Sequence, residues 1–202
     1  MGIYADSIAP RVVDFVCKPQ GLTKWRSRCV EGLAGTVVEI GFGAGRNLLL
    51  YPDTVTEVIA VEPSPVMRAR ATRQIVQSSI PLRWGGLDAQ KLDLPDASAD
   101  AAVVTFSLCT IPDPVAALRE LRRVVKPGGE LRVLEHGLAL EPRVAAWQHR
   151  LNGLQQILFG GCQLIRNPVE AVTESGWTIT ADYHRFAPGL KFFSYFTSLR
   201  AQ

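Results

Sequence analysis

Val37-Val38-Glu39-Ile40-Gly41-Phe42-Gly43-Ala44-Gly45 reads as a buried strand running into three glycines spaced two apart. β-Branched apolar residues favour the extended backbone. Glycines at 41, 43 and 45 allow a tight turn and let a bound molecule approach the backbone where a Cβ would otherwise stand. Asn47-Leu48-Leu49-Leu50 then opens a helix or helical turn. The third glycine falls one residue earlier than in the dinucleotide fingerprint, and Arg46 stands where that pattern has glycine. This spacing disfavours a pyrophosphate ligand and, with it, a nicotinamide-dependent oxidoreductase. No Gly-Lys-Ser or Gly-Lys-Thr follows, so the loop is no triphosphate cradle.

Working outward, apolar runs of strand length alternate with helical patterns. Strands are predicted at 36–40, 57–61, 82–84, 101–108, 131–135, 177–183 and 191–197. Helices are predicted at 8–16, 24–31, 65–77, 113–125, 141–160 and 168–175. Lys126-Pro127-Gly128-Gly129 reads as a turn that stops one helix and launches the fifth strand. This alternation favours a mostly parallel sheet with helices over it, and the two adjacent final strands fit a hairpin at one edge.

The 202 residues, 47% hydrophobic and 20% charged, fit one globular domain with its own core. The net charge of +3 is scattered, without the dense basic stripe that a phosphate backbone demands, so nucleic acid is a poor partner. No uncharged apolar run reaches the ~18–20 residues needed to span a bilayer. Asp6, Pro10, Arg11 and Asp14 interrupt the start, so no signal peptide is expected. Cys17, Cys29, Cys109 and Cys162 lie far apart with no CxxC, which argues against a zinc site or disulfide scaffold and suits a reducing, cytoplasmic setting.

Two carboxylates stand at strand ends. Glu62 follows the second strand, where an acidic side chain can accept both hydroxyl hydrogens of a ribose. Asp88 follows the third, where it can accept from an exocyclic amine such as that of adenine.

Glu-Ile-Gly-x-Gly-x-Gly, Val-Glu-Pro-Ser, Leu-Asp-Ala-x-x-Leu and Leu-x-Arg-Val-x-Lys-Pro-Gly-Gly, in that order, resemble the class I S-adenosylmethionine-dependent methyltransferases. Phe106-Ser107-Leu108-Cys109-Thr110, Glu135-His136-Gly137, Trp147-Gln148 and the run from Gly160 to Arg166 look like the methyltransferase-like 7 group. That group includes mammalian alkyl-thiol methyltransferases, and the chain is more distantly similar to bacterial phospholipid N-methyltransferases. The mammalian members carry an N-terminal hydrophobic anchor that this sequence lacks, and Tyr195-Phe-Thr-Ser-Leu-Arg-Ala departs from the group's Tyr-x-Gly-x-Ala.

The resemblance implies a Rossmann-like, doubly wound α/β sheet of seven strands, mostly parallel, with one antiparallel strand in a C-terminal hairpin and helices on both faces. It implies a single domain over 1–202, with N-terminal helices over 1–32 and a substrate-side insertion over 136–170. Gly41, Phe42, Gly43 and Gly45 would wrap the methionine part of S-adenosylmethionine, with Asn47 among the contacts and Glu39 bracing the loop or the ammonium group. Glu62 would hold the ribose, Pro63 and Met67 would flank the adenine, and Asp88 and Ala89 would meet its amine. Phe106 and Leu108 would lie beside the methyl.

Methyl transfer from a sulfonium needs alignment and water exclusion more than covalent help. A thiol acceptor gains from a nearby base or positive field, and His136 is the candidate base; an alternative is a histidine that orders the following loop. Trp147, Gln148 and Arg166 would form the substrate side. Cys109 and Cys162 read as packing residues. No metal is implied. The partner implied is a small-molecule methyl acceptor, foremost an alkyl thiol, with S-adenosylhomocysteine as product. Rival readings are phosphatidylethanolamine N-methylation, with peripheral membrane contact, and cofactor binding without catalysis.

Overall fold

The computed structural model describes residues 11–12, 20–187 and 189–202. The helix expected at 8–16 lies largely outside the described residues. The strand that carries the glycine motif, β1 (Gly35–Ile40), sends alternate side chains to opposite faces of the sheet. Val38 and Ile40 enter one apolar layer with Ile59, Val61, Val104 and Val133. Val37 enters the other with Val58, Ala60, Val103, Val30 and Leu33. Period-two alternation puts Glu39 on the side of Val37, where it is fully buried.

Seven strands form one sheet in the order β3-β2-β1-β4-β5-β7-β6. These are β1, β2 (Val55–Val61), β3 (Leu82–Gly86), β4 (Ala99–Thr105), β5 (Val125–His136), β6 (Ile179–Phe186) and β7 (Tyr195–Ala201). β1 pairs in parallel with both β2 and β4. β7 runs antiparallel to both β5 and β6, so it is the one reversed strand. The chain winds outward from β1 to β3, then returns to place β4 on the other side of β1. In such sheets ligands bind at this reversal, beyond the carboxyl ends of the strands, where Gly41 follows β1 and Phe106 follows β4.

Among the described residues, besides α1 (Gln20–Val30), four α-helices surround the sheet: α2 (Pro65–Gln77), α3 (Pro114–Val124), α4 (Pro142–Leu158) and α5 (Pro168–Glu174). All four open on proline, whose missing N–H costs nothing in the first turn. Ser64, Asp113 and Asn167 precede three of them and accept from the free first-turn N–H groups, Asp113 from Ala116 N at 2.9 Å. α3 buries Ala117, Leu118, Leu121 and Val124 on one face.

Three expectations shift. Lys126-Pro127-Gly128-Gly129 lies inside β5 as a bulge: Ala99 pairs with Val125 and Ala101 with Glu130, so three residues of β4 face six of β5. A Cβ on Gly129 would meet the Asp100 carbonyl oxygen at 2.5 Å, which explains the glycine. β4 ends at Thr105 rather than Leu108, because Phe106 takes φ +53° and turns the chain. The last strand begins at Tyr195 instead of Lys191. Phe193 N and Ser194 N close turns on Leu190 and Lys191, and Leu199 and Ala201 fill the core.

Candidate active site

The glycine loop is clamped from both sides. The Val61 carbonyl accepts from Gly41 N at 2.9 Å and Phe42 N at 3.2 Å. Gly41 has φ +66°, and a Cβ there would fall on the Ser107 side chain. Glu62 accepts from Gly43 N and from Ser64 N, each at 2.8 Å, and so joins the loop to the start of α2. Burial raises the Glu62 pKa, and these two N–H groups oppose the rise. Met67 is buried, its Cε 3.6 Å from where a Gly43 Cβ would stand, while Pro63 is exposed. The Phe42 side chain turns into the core, edge-on to Trp84 at 5.8 Å, so only its backbone belongs to the loop surface.

Beneath the loop lies a buried polar brace. Glu39 accepts from Asn47 Nδ2 at 2.8 Å and the Tyr51 hydroxyl at 2.6 Å. Arg26 donates to Asn47 Oδ1 at 3.0 Å and to Thr105 Oγ1 at 2.6 Å. Burial pushes the Glu39 carboxyl up to about 7. Of the two roles open to Glu39, bracing is the one its contacts serve. Asn47 is fully buried and is a second strut rather than a surface that meets a ligand. Arg26, Tyr51 and Thr105 complete a network that the sequence reading missed.

Asp88 is exposed, and the Gln90 backbone N–H and side-chain amide hold its carboxyl below the usual range. Ala89 is half-buried against the core. The turn after β4 hangs on Glu135, whose Oε1 accepts from Ser107 N and Leu108 N. Glu135 is fully buried, which pushes it up to about 7, and its Oε2 has no hydrogen-bond partner. Leu108, expected beside the methyl, is 2% exposed and packs in the core. Ser107 Oγ instead reaches the Gly41 carbonyl at 3.3 Å and ties this turn to the glycine loop.

Phe106, next to Ser107, lines a mainly apolar cavity of about 340 Å³. Phe159, Leu164, Phe193 and Phe196 supply much of its wall, and Phe106 packs edge-on against Phe196 at 5.2 Å. A polar corner interrupts that wall. His136 Nε2 lies 3.1 Å from Cys162 Sγ, and Gln155 Nε2 donates to the same sulfur at 3.4 Å. Cys109 also hydrogen-bonds to Cys162, and the three donor atoms of Cys109, His136 and Cys162 lie within 4.8 Å of one another. The Cys109 hydrogen bond, then that of His136, holds the Cys162 thiol well below its usual range despite burial. Burial works against a charged imidazole, but the hydrogen bond and charge of Cys162, with Glu135, raise His136. His136 thus reaches the cavity with Nε2 already engaged, and the cysteines read as packing residues form a cluster with it.

The three residues expected on the substrate side have other settings. Trp147 is 53% exposed, carries Arg150 over its ring and stands outside the cavity wall. Gln148 is buried, accepting from Ala139 N at 2.8 Å and donating to Gly137 O and Phe192 O. Arg166 donates to the carbonyls of Ile111 and Pro112. Gln148 and Arg166 shape the segments around the cavity without facing it. Among the described residues, no helix is long and apolar enough to cross a membrane.

Residues 38–133 match the family model described as a methyltransferase domain. The chain is 31% identical over 140 residues to thiol S-methyltransferase TMT1B of Rattus norvegicus, covering 65% of this chain and 55% of that protein. It is 33% identical over 109 residues to a phosphatidylethanolamine N-methyltransferase of Cereibacter sphaeroides, covering 53% of each. The chain therefore spans about half the length of these curated relatives. Among solved structures, an S-adenosylmethionine-dependent methyltransferase of Thermotoga maritima superposes with TM-score 0.68 at 20% identity, covering 98% of this chain and 97% of that one. A geranyl diphosphate methyltransferase solved with S-adenosylmethionine superposes with TM-score 0.70 at 11% identity, covering 100% and 91%. A switch-point sheet, a methyltransferase-domain model that matches its central strands, and relatives in sequence and structure agree: over residues 38–133 this chain is similar to the class I S-adenosylmethionine-dependent methyltransferases.

Proposed function

We propose that the chain transfers the methyl group of S-adenosylmethionine to the sulfur of a small apolar thiol. The observation that carries this reading is the apolar cavity with a His–Cys–Cys corner, one residue from the turn that touches Gly41.

The residues around the loop fit the cofactor. Each Glu62 oxygen accepts one N–H, and a carboxylate oxygen has a further lone pair for a ribose hydroxyl. Gly41, Gly43 and Gly45 leave the loop backbone bare toward the methionine part. Met67 and Pro63 would flank the adenine, Asp88 and Ala89 would meet its amine, and Phe106 would mark the methyl end. When bound, the cofactor supplies a methyl already activated on a sulfonium. The chain then has to bring acceptor and methyl into line and exclude water. Phe106, Phe159, Phe193 and Phe196 desolvate an apolar acceptor, and the His136–Cys162 corner is where its thiol proton is given up. The thiol S-methyltransferase relative supports the same acceptor class.

One observation favours a phospholipid instead. Leu154, Ile157 and Leu158 share an exposed face at the end of α4, next to Phe159 of the cavity, as a lipid-contacting rim would require. The phosphatidylethanolamine N-methyltransferase relative points the same way. Purified chain with methyl-labelled cofactor, offered alkyl thiols, amines, phenols and phosphatidylethanolamine vesicles, separates the readings. Labelled thioether is the expected product. Label only in the lipid selects the second reading, and cofactor binding without product from any acceptor refutes catalysis.

A further inference from the structure

We propose that Cys109, His136 and Cys162 form a binding site for a zinc-class divalent ion, with a fourth coordination position open to the apolar cavity. The sequence hides this site, because its donors come from three segments. Cys109 follows the turn after β4, His136 ends β5, and Cys162 lies in the loop beyond α4. The fold brings the two sulfurs and the imidazole nitrogen within 4.8 Å of one another, with Nε2 and the Cys162 sulfur at 3.1 Å. Around tetrahedral zinc, bonds of about 2.3 Å to sulfur and 2.0–2.1 Å to nitrogen put donors roughly 3.5–3.8 Å apart. Side-chain adjustments within rotamer wells close that gap.

The chemistry of the donors selects the ion. Two thiolates and an imidazole suit zinc and disfavour magnesium or calcium, which take oxygen ligands. Two thiolates also balance a divalent charge, so the occupied cluster is neutral in a buried, largely apolar wall, where an unbalanced charge is costly. Gln155 Nε2 on the Cys162 sulfur, and Gln163 N on the Cys109 carbonyl at 3.0 Å, hold both cysteine segments in place. Three protein ligands with one open position is the arrangement of a reactive rather than a purely structural zinc site.

One consequence rests on the thiol reading above. An acceptor thiol entering the cavity would take the fourth position: its S–H bond breaks, the electron pair stays on sulfur and forms the sulfur–metal bond, and the proton leaves to solvent with the displaced water. The ion would then generate the thiolate, and His136 would act as a ligand rather than a base.

The test needs only the full chain, reduced and purified from zinc-supplemented medium without a metal-binding tag. Elemental analysis is expected to find about one zinc per chain after dialysis. Replacement by cobalt is expected to give a thiolate-to-cobalt charge-transfer band and tetrahedral visible bands, which shift when an alkyl thiol is added. Cys109→Ser and Cys162→Ser each lose the bands, whereas Cys29→Ala, on a cysteine outside the cluster, keeps them. Zinc at background level in the unaltered chain, or cobalt bands that persist in both serine variants, overturns the site. Cobalt bands that ignore added thiol overturn its open position. Thiol methylation at full rate by zinc-free protein overturns the ion's part in making the thiolate and leaves the methyltransferase reading intact. Bound zinc without thiol methylation does the reverse.

Discussion

The glycine-loop edge and the apolar cavity meet at one turn, residues 106–108, yet they are assembled in different ways. The loop edge is local: Gly41 to Gly45, Glu62 and Met67 lie within 27 residues and are fixed largely by backbone N–H groups and a buried brace. The cavity draws Leu22, Phe106, His136, Cys162 and Phe196 from across the chain, and its shape depends on side chains. The loop edge should therefore fail through backbone changes and take stability with it. The cavity should tolerate change and alter only what it accepts.

The sharpest way to break this contrast is Gly41→Ala. A φ of +66° and overlap with the Ser107 side chain together predict a loss of about 2–4 kcal/mol, read by denaturant unfolding, with cofactor binding lost as well. Unchanged stability would show that the loop and the β4 turn are not locked together.

The buried brace carries a pH signature. Glu39 and Glu135 both titrate near 7 in the folded chain against roughly 4.3 when unfolded, so the folded state binds more protons between those values. Stability is fully present below about pH 4.5 with respect to these two groups, and falls as pH rises to about 7. Each contributes up to about 3 kcal/mol. Asp100 and Glu120 shift downward and titrate below this window, Glu62 and His136 shift upward and add to the decline, and the lowered Cys162 thiol opposes it. Glu39→Gln should make the slope of unfolding free energy against pH more positive than in the unaltered chain between pH 5 and 8; an unchanged slope would clear Glu39 of the effect.

Glu62→Ala should weaken cofactor binding by about 1.5–3 kcal/mol, roughly 10- to 100-fold by calorimetry, since hydrogen bonds to a charged group are lost. At the small end stands Trp147→Ala. An exposed ring outside the cavity predicts a stability change within about 0.5 kcal/mol and an acceptor KM within about twofold. A large rise in KM would restore Trp147 to the acceptor site.

The same contrast explains what the sequence disclosed. Strand alternation, Pro-led helix starts and glycine spacing are short-range signals, so the sheet, its reversed strand and the loop were legible. Leu108 was misplaced because an apolar run gives no sign that the chain turns at Phe106. The Lys191–Ser194 turn was read as strand because its aromatic residues have high β-propensity. Arg26, Tyr51 and Thr105 join Glu39 and Asn47 through contacts up to 79 residues apart, with no local pattern to announce them. The closeness of Cys109, His136 and Cys162 has no local signal either, since cysteine spacing records neighbours along the chain and not across the fold.

If the cavity beside the glycine loop receives the methyl acceptor, as proposed, filling it must stop methyl transfer and spare cofactor binding. Thr110 is exposed and lines the cavity, so Thr110→Trp should fill its entrance without touching the loop. The most direct measurement pairs thiol methylation with calorimetric cofactor binding in the unaltered chain and in this variant. Thioether formation by the unaltered chain is expected, at least about tenfold slower in the variant, with cofactor affinity within about twofold. Equal turnover in both proteins, or no thioether from either, would contradict it.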